Sequence, residues 1–226
     1  MNGEMITFNG NGHTYQGYLS KPKSGKGPGI IVIQEWWGLV GHIKDVTDRF
    51  AEAGFTAFAP DFYLGETAEE PDMAGKYMMS LKIDDMERIL NGAIETLLSN
   101  ESTSSAKAGV VGFCMGGQLS LYAATINSKI GACVNFYGIH PNVKPNLENL
   151  NAPVMGIFAE KDHMTTQEVV KELDKQLCEL NKEHTFITYP GTDHAFFNDE
   201  RKEVYDEKAA KDAWNKVTQF FTSNLS

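Results

Sequence analysis

The sequence predicts an α/β fold built on a mainly parallel sheet, and three observations carry the prediction. Gly29-Ile30-Ile31-Val32-Ile33-Gln34 is a continuous apolar run of strand length, the pattern of a central strand covered on both faces. From there on, strand-like runs alternate with segments of helical periodicity. The start of the chain differs: two short alternating segments, Met5 to Phe8 and Thr14 to Leu19, flank the turn-rich Asn9-Gly10-Asn11-Gly12 and read as an antiparallel hairpin.

Each later element has its own signal. Ile43, Val46, Phe50 and Ala51 follow helical spacing that stops at Gly54, and Phe55 to Ala59, ended by Pro60, reads as the next strand. Asp61 to Lys82 shows little periodicity and is acidic from Glu66 to Asp72. It is expected to form an irregular excursion with a short helix around Met73 to Met79, at a rim suited to substrate contact. Ile83, Met86, Ile89, Leu90, Ala93, Ile94 and Leu97 mark an amphipathic helix, after which the polar stretch Ser99 to Lys107 leads into a strand over Ala108 to Phe113. Helix is expected over Leu119 to Ile126, and strands over Ala132 to Tyr137 and Pro153 to Ala159. Val169, Leu173, Leu177 and Leu180 mark another helix, and Thr185 to Tyr189 the last strand. Ala209, Ala210, Ala213, Trp214, Val217, Phe220 and Phe221 line one side of a terminal helix. No repeat, linker or low-complexity tract interrupts this order, so one domain over residues 1–226 is expected, with the sheet between helices and its sites at the strands' carboxyl ends.

Composition narrows the function classes. A hydrophobic share of 42% with 22% charged residues is ordinary for a soluble chain of 226 residues. The first residues lack a basic segment leading into an apolar run, and no stretch approaches the roughly 18 apolar residues of a membrane span, so the cytoplasm is the expected compartment. Thirty acidic against twenty basic residues give a formal charge of −10, which repels a phosphate backbone and disfavours nucleic acid as a partner. Cys114, Cys133 and Cys178 are odd in number and lack CxxC spacing, which suggests reduced thiols rather than a disulfide framework or a zinc site.

One of those cysteines stands apart. Gly112-Phe113-Cys114-Met115-Gly116 fits G-x-nucleophile-x-G between an expected strand and an expected helix. A sharp turn lifts one side chain out of the sheet only if the flanking residues lack bulk, which Gly112, Gly116 and Gly117 satisfy. The Met115 amide then points toward a developing oxyanion, and the helix start favours a thiolate. The bland alternative is a buried cysteine at a tight connection, and that is the better account of Cys133, in an apolar strand, while Cys178, beside Leu177, reads as core packing or a quiet surface thiol.

A cysteine nucleophile needs a base, and the base an orienting carboxylate, in the chain order nucleophile, acid, histidine. Asp162, in "FAEKDHMT", and His194, in "YPGTDHAFF", each follow a strand by one loop and so reach the same rim as Cys114. Glu160 and Asp193 compete with Asp162. Of the other histidines, His13 and His184 lie far from any strand's carboxyl end, and His42, His140 and His163 suit polar surface or loop duty.

Three motifs, the last a pair of stretches, together resemble the dienelactone hydrolase (carboxymethylenebutenolidase) family, cysteine-nucleophile members of the α/β-hydrolase fold. They are "IVIQEWWG" (Ile31 to Gly38), "GVVGFCMGG" (Gly109 to Gly117), and "GIFAEKDHMT" (Gly156 to Thr165) with "YPGTDHAFFN" (Tyr189 to Asn198). The resemblance implies a Cys114–His194–Asp162 triad and adds Glu35, matching a glutamate that holds the resting thiol and helps activate it. A buried carboxylate beside sulfur resists thiolate formation until it moves, which is a physical basis for such a role. Trp36 matches the residue whose backbone amide supplies the second oxyanion donor beside that of Met115, leaving the Trp36 and Trp37 side chains to wall the pocket or join the core.

Departures bear on substrate. The family archetype binds its substrate carboxylate with two arginines, one of them four residues after the catalytic histidine. Here that place is Asn198, and the excursion around Pro71 to Asp85 offers Lys76 and Lys82 but no arginine. The expectation is therefore a cofactor-free, cysteine-dependent hydrolase of small esters, lactones or thioesters, without metal. The alternative is a non-catalytic binder or thiol redox sensor on the same fold.

Overall fold

The computed structural model describes residues 3–225. Strands β1 (Glu4–Gly10) and β2 (His13–Ser20) form the hairpin, with Asn11 and Gly12 both at positive φ in its two-residue turn. There follow β3 (Gly29–Ile33), α1 (Gly41–Glu52), β4 (Thr56–Pro60), α2 (Pro71–Ser80), α3 (Ile83–Ser99), β5 (Ala108–Phe113) and α4 (Met115–Ile126). The chain ends with β6 (Ile130–Phe136), β7 (Val154–Ala159), α5 (Gln167–Glu179), β8 (His184–Tyr189) and α6 (Glu207–Asn224). The eight strands form one sheet in the order β1-β2-β4-β3-β5-β6-β7-β8. Pairing is antiparallel from β1 to β2 and from β2 to β4, and parallel from β4 through β8.

The apolar run at β3 has the cause its composition implied. Ile31 and Ile33 pack on one face with Ile89, Leu90, Leu97 and Leu119 of α3 and α4, while Ile30 and Val32 pack on the other with Ile43, Val46 and Phe50 of α1 and Val217 and Phe221 of α6. Among the described residues no helix is long and apolar enough to cross a membrane.

Local differences from expectation have physical reasons. Helix α4 begins at Met115, four residues before Leu119, because its first turn is made of the glycines that mask helical propensity in the sequence. Strand β6 stops at Phe136, since Tyr137 takes a φ of 38° and leaves the sheet. The apolar stripe expected on α5 is only partly inward: Leu177 is buried, while Val169 and Leu180 are exposed. His42 and His140, expected at the surface or in loops, are both buried. The His42 ring sits edge-on to Phe113 and Phe197, and His140 Nδ1 accepts the Asn142 N–H at 3.2 Å.

Candidate active site

The turn after β5 places Cys114 at φ 54° and ψ −119°, a conformation that strains any residue with a Cβ. Its surroundings over-determine it. The Cys114 N–H donates to Phe136 O at 3.1 Å, and its carbonyl accepts from Gly117 N at 2.9 Å and Ile139 N at 3.1 Å. A Cβ at Gly112 would lie 1.9 Å from Gly116 O, and one at Gly116 would lie 2.5 Å from the carbonyl oxygens of Ile33 and Gln34. The glycines thus let α4 press against the ends of β5 and β3, so Glu35, just past β3, enters the same corner as Cys114. Met115 is the first residue of α4, so its N–H has no intrahelical acceptor, and the helix dipole favours negative charge there.

The loops after β7 and β8 bring Asp162 and His194 together. Asp162 Oδ1 accepts the backbone N–H groups of Met164 at 2.8 Å and Thr165 at 2.9 Å, which fix its carboxylate, and Oδ2 lies 2.7 Å from His194 Nδ1. A carboxylate only accepts, so Nδ1 carries the proton. His194 Nε2 is then the ring atom left over, buried and without a well-formed hydrogen bond. Burial works against a charged imidazole, but the Asp162 hydrogen bond and the neighbouring Cys114 outweigh it and push His194 up to about 10. Glu160, the nearer rival in sequence, is engaged elsewhere: its Oε2 accepts the Gly191 N–H at 2.7 Å.

Glu35 is almost fully buried and its Oε2 accepts from Asn198 Nδ2 at 2.8 Å. Asn198 Oδ1 accepts the Glu200 N–H at 3.1 Å, so both ends of the amide are committed and its orientation is set. Asn198 is itself buried and stands behind Glu35. Trp36 and Trp37 are both partly exposed, with rings 5.1 Å apart and edge-on. Trp36 packs against the α3–α4 side of the core, so neither ring is a fully buried core residue.

Two tyrosines belong to this corner although the sequence did not single them out. Tyr137 is fully buried with its ring 4.8 Å from that of His194, and burial, then Glu35 and Cys114, drive its hydroxyl far above the ordinary range. The Tyr63 hydroxyl contacts Met115 Sδ at 3.4 Å, and burial followed by Cys114 raises it as well. Tyr63 also lines a cavity of about 390 Å³ with Phe62, Tyr77, Leu81 and Lys82. The available signal was position: Tyr137 ends an expected strand at the same rim as Cys114, and Tyr63 follows β4 by three residues.

A mostly parallel sheet sandwiched by helices, with an N-terminal antiparallel hairpin and a strained turn between β5 and α4, defines the α/β-hydrolase class. Within it, the profile of the Dienelactone hydrolase family matches residues 15–225, and the chain belongs to that family, whose members are hydrolases of esters and lactones. The chain is 42% identical to "Protein usf" of Aquifex pyrophilus, over 99% of this chain and 100% of that one. It is 37% identical to the Aquifex aeolicus (strain VF5) protein named "Putative carboxymethylenebutenolidase", over 99% of each. Among solved structures, the "Putative Dienelactone Hydrolase" of Klebsiella pneumoniae subsp. pneumoniae superposes with a TM-score of 0.83 at 26% identity, covering 97% of this chain and 99% of that one.

Proposed function

We propose that the protein hydrolyses small carboxylic esters or lactones through an acyl-cysteine formed on Cys114. The observation that carries this reading is the Asp162–His194 pair at 2.7 Å, which holds the imidazole with Nδ1 protonated and Nε2 free at the rim where the elbow presents Cys114. Cys114 gives its thiol proton to His194 Nε2 as the sulfur attacks the carbonyl carbon, and the carbonyl oxygen takes the displaced electron pair facing the amides of Met115 and Trp36. Collapse expels the alkoxide, which takes its proton from His194. In a lactone the alcohol stays tethered to the acyl group. Water then attacks the thioester, giving its proton to His194 Nε2, and the Cys114 sulfur leaves and takes that proton back as the thiol. Asp162 orients the ring and stabilises its cation throughout.

Glu35 tunes the thiol, and Asn198 acts through Glu35 as a positioning residue. With its amide held by Glu35 and Glu200, Asn198 offers a substrate carboxylate no guanidinium, which favours neutral esters and lactones over dienelactone. Trp37 walls the pocket. Replacing Asn198 by leucine leaves a buried carboxylate unpaired. It is expected to cost about 1–3 kcal/mol in urea unfolding and to lower kcat more than it raises KM.

Intact-mass analysis during turnover of an activated aryl ester tests the proposal. The wild-type chain should gain one acyl group that clears as ester is exhausted, and His194→Ala should accumulate less of it. An adduct that never clears points to a thiol sensor, and turnover without any adduct on Cys114 removes covalent catalysis.

A further inference from the structure

At the opposite end of the sheet, three side chains converge that the hydrolytic site does not use. Asp174 and Cys178 are four residues apart on α5 and so share one face near its end. The chain leaves α5 through Asn181 at φ 51°, with Lys182 N donating back to Leu177 O at 2.9 Å, and this tight reversal lays His184, the first residue of β8, against that face. His184 Nε2 lies 3.0 Å from Asp174 Oδ1 and 3.9 Å from Cys178 Sγ, and the three donor atoms all lie within 4.8 Å of one another.

The second nitrogen of His184 decides what this cluster suits. Nδ1 lies 2.8 Å from Lys182 O, and a carbonyl only accepts, so Nδ1 keeps its proton, and Nε2, which faces Asp174 Oδ1 at 3.0 Å, is the ring atom whose place beside the carboxylate a cation would take. A ring held by Nδ1–H to a backbone carbonyl is the usual arrangement of a metal-bound histidine. The Lys182 ammonium, two residues before His184, is engaged elsewhere: its Nζ donates to Glu148 O and Leu150 O, both at 2.7 Å.

We propose that Asp174, Cys178 and His184 form a zinc-type site binding one borderline-soft divalent cation, with water completing the tetrahedron. Donors about 2.0–2.3 Å from such an ion are separated by roughly 3.3–3.8 Å, so the cluster needs to contract by only about 1 Å. Binding releases the Cys178 thiol proton and any proton on His184 Nε2, and ties edge strand β8 to α5. CxxC spacing is absent because the ligands come from a helix and the strand after it.

Titration with zinc chloride against a chromophoric chelator tests this in a Cys114→Ser background, which keeps the catalytic thiol out of the reading. One equivalent should bind with micromolar or tighter affinity. Cobalt in its place should give a thiolate charge-transfer band and tetrahedral visible bands. Asp174→Asn, Cys178→Ser and His184→Ala should each weaken binding at least tenfold and abolish the cobalt thiolate band in Cys178→Ser, while thermal unfolding without metal shows each variant folded. Absence of stoichiometric binding, or binding equal in all three variants, overturns the site.

Discussion

Cys114→Ala is expected to lower turnover of a small aryl ester by about 10⁴-fold or more while leaving the protein folded. Only Sγ is lost. The strained backbone at φ 54° is held by bonds from Phe136, Gly117 and Ile139 that alanine keeps, and alanine bears the same Cβ that cysteine does, so no new strain enters. The side chain is buried, so the change costs stability through one small vacated volume, about 1 kcal/mol. Rate and stability therefore separate. Parallel assays of ester hydrolysis and of urea unfolding read both, and a variant retaining wild-type activity would remove Cys114 as the nucleophile. KM should change little, because the sulfur contributes its energy once the carbonyl becomes tetrahedral. Cys114→Ser sharpens the reading: an alcohol ionises far less readily than a thiol, so whatever activity returns depends wholly on His194 as base.

What the sequence made legible follows from which physics is local. The two-faced burial of β3 shows in its continuous apolar run, and the cysteine elbow in glycines whose spacing has a steric cause. Both signals lie within about ten residues. The start of α4 was hidden because the close approach that requires Gly116 overrides helix propensity in the same residues. The α5 stripe misled because periodicity reports a face but not how much of the sheet remains to cover it: β8 is the edge, so Val169 stays in water. The Asn198–Glu35 bond joins residues 163 apart, and nothing in either neighbourhood announces it. Asn198 could be recognised in the sequence only as an arginine's absence. In the fold it is a donor to a buried acid, and under the proposed function that one contact ties substrate preference to thiol activation. His42 was misplaced because a ring that packs edge-on against aromatics is indistinguishable, by composition, from one in solvent, whereas His140 does lie in a loop, though a buried one.

The second large effect belongs to Asp162→Asn, which should reduce kcat by about 10³–10⁴-fold and also change how stability depends on pH. Asparagine removes the charge that stabilises the imidazolium, and its amide can present a donor to Nδ1, turning the ring's lone pair away from the substrate. In the wild-type protein His194 is raised from the ordinary 6.5 to about 10, against the pull of burial, by Asp162 and Cys114. A group whose folded value is raised holds its proton more tightly when folded. Its contribution is therefore complete below about pH 6.5 and drains away as pH rises toward 10, on the order of a few kcal/mol for a coupled buried pair. With Asp162 neutral, burial is opposed only by the thiol, the folded value falls, and that alkaline loss shrinks or disappears. Urea unfolding of both proteins across this range isolates the effect, because lysine and tyrosine titrations common to the two cancel in the difference. Wild-type stability should start higher at low pH and converge on the variant as the pH approaches 10. Parallel curves would show that Asp162 orients the ring without stabilising its charge, and the loss of kcat would then have to come from the tautomer alone.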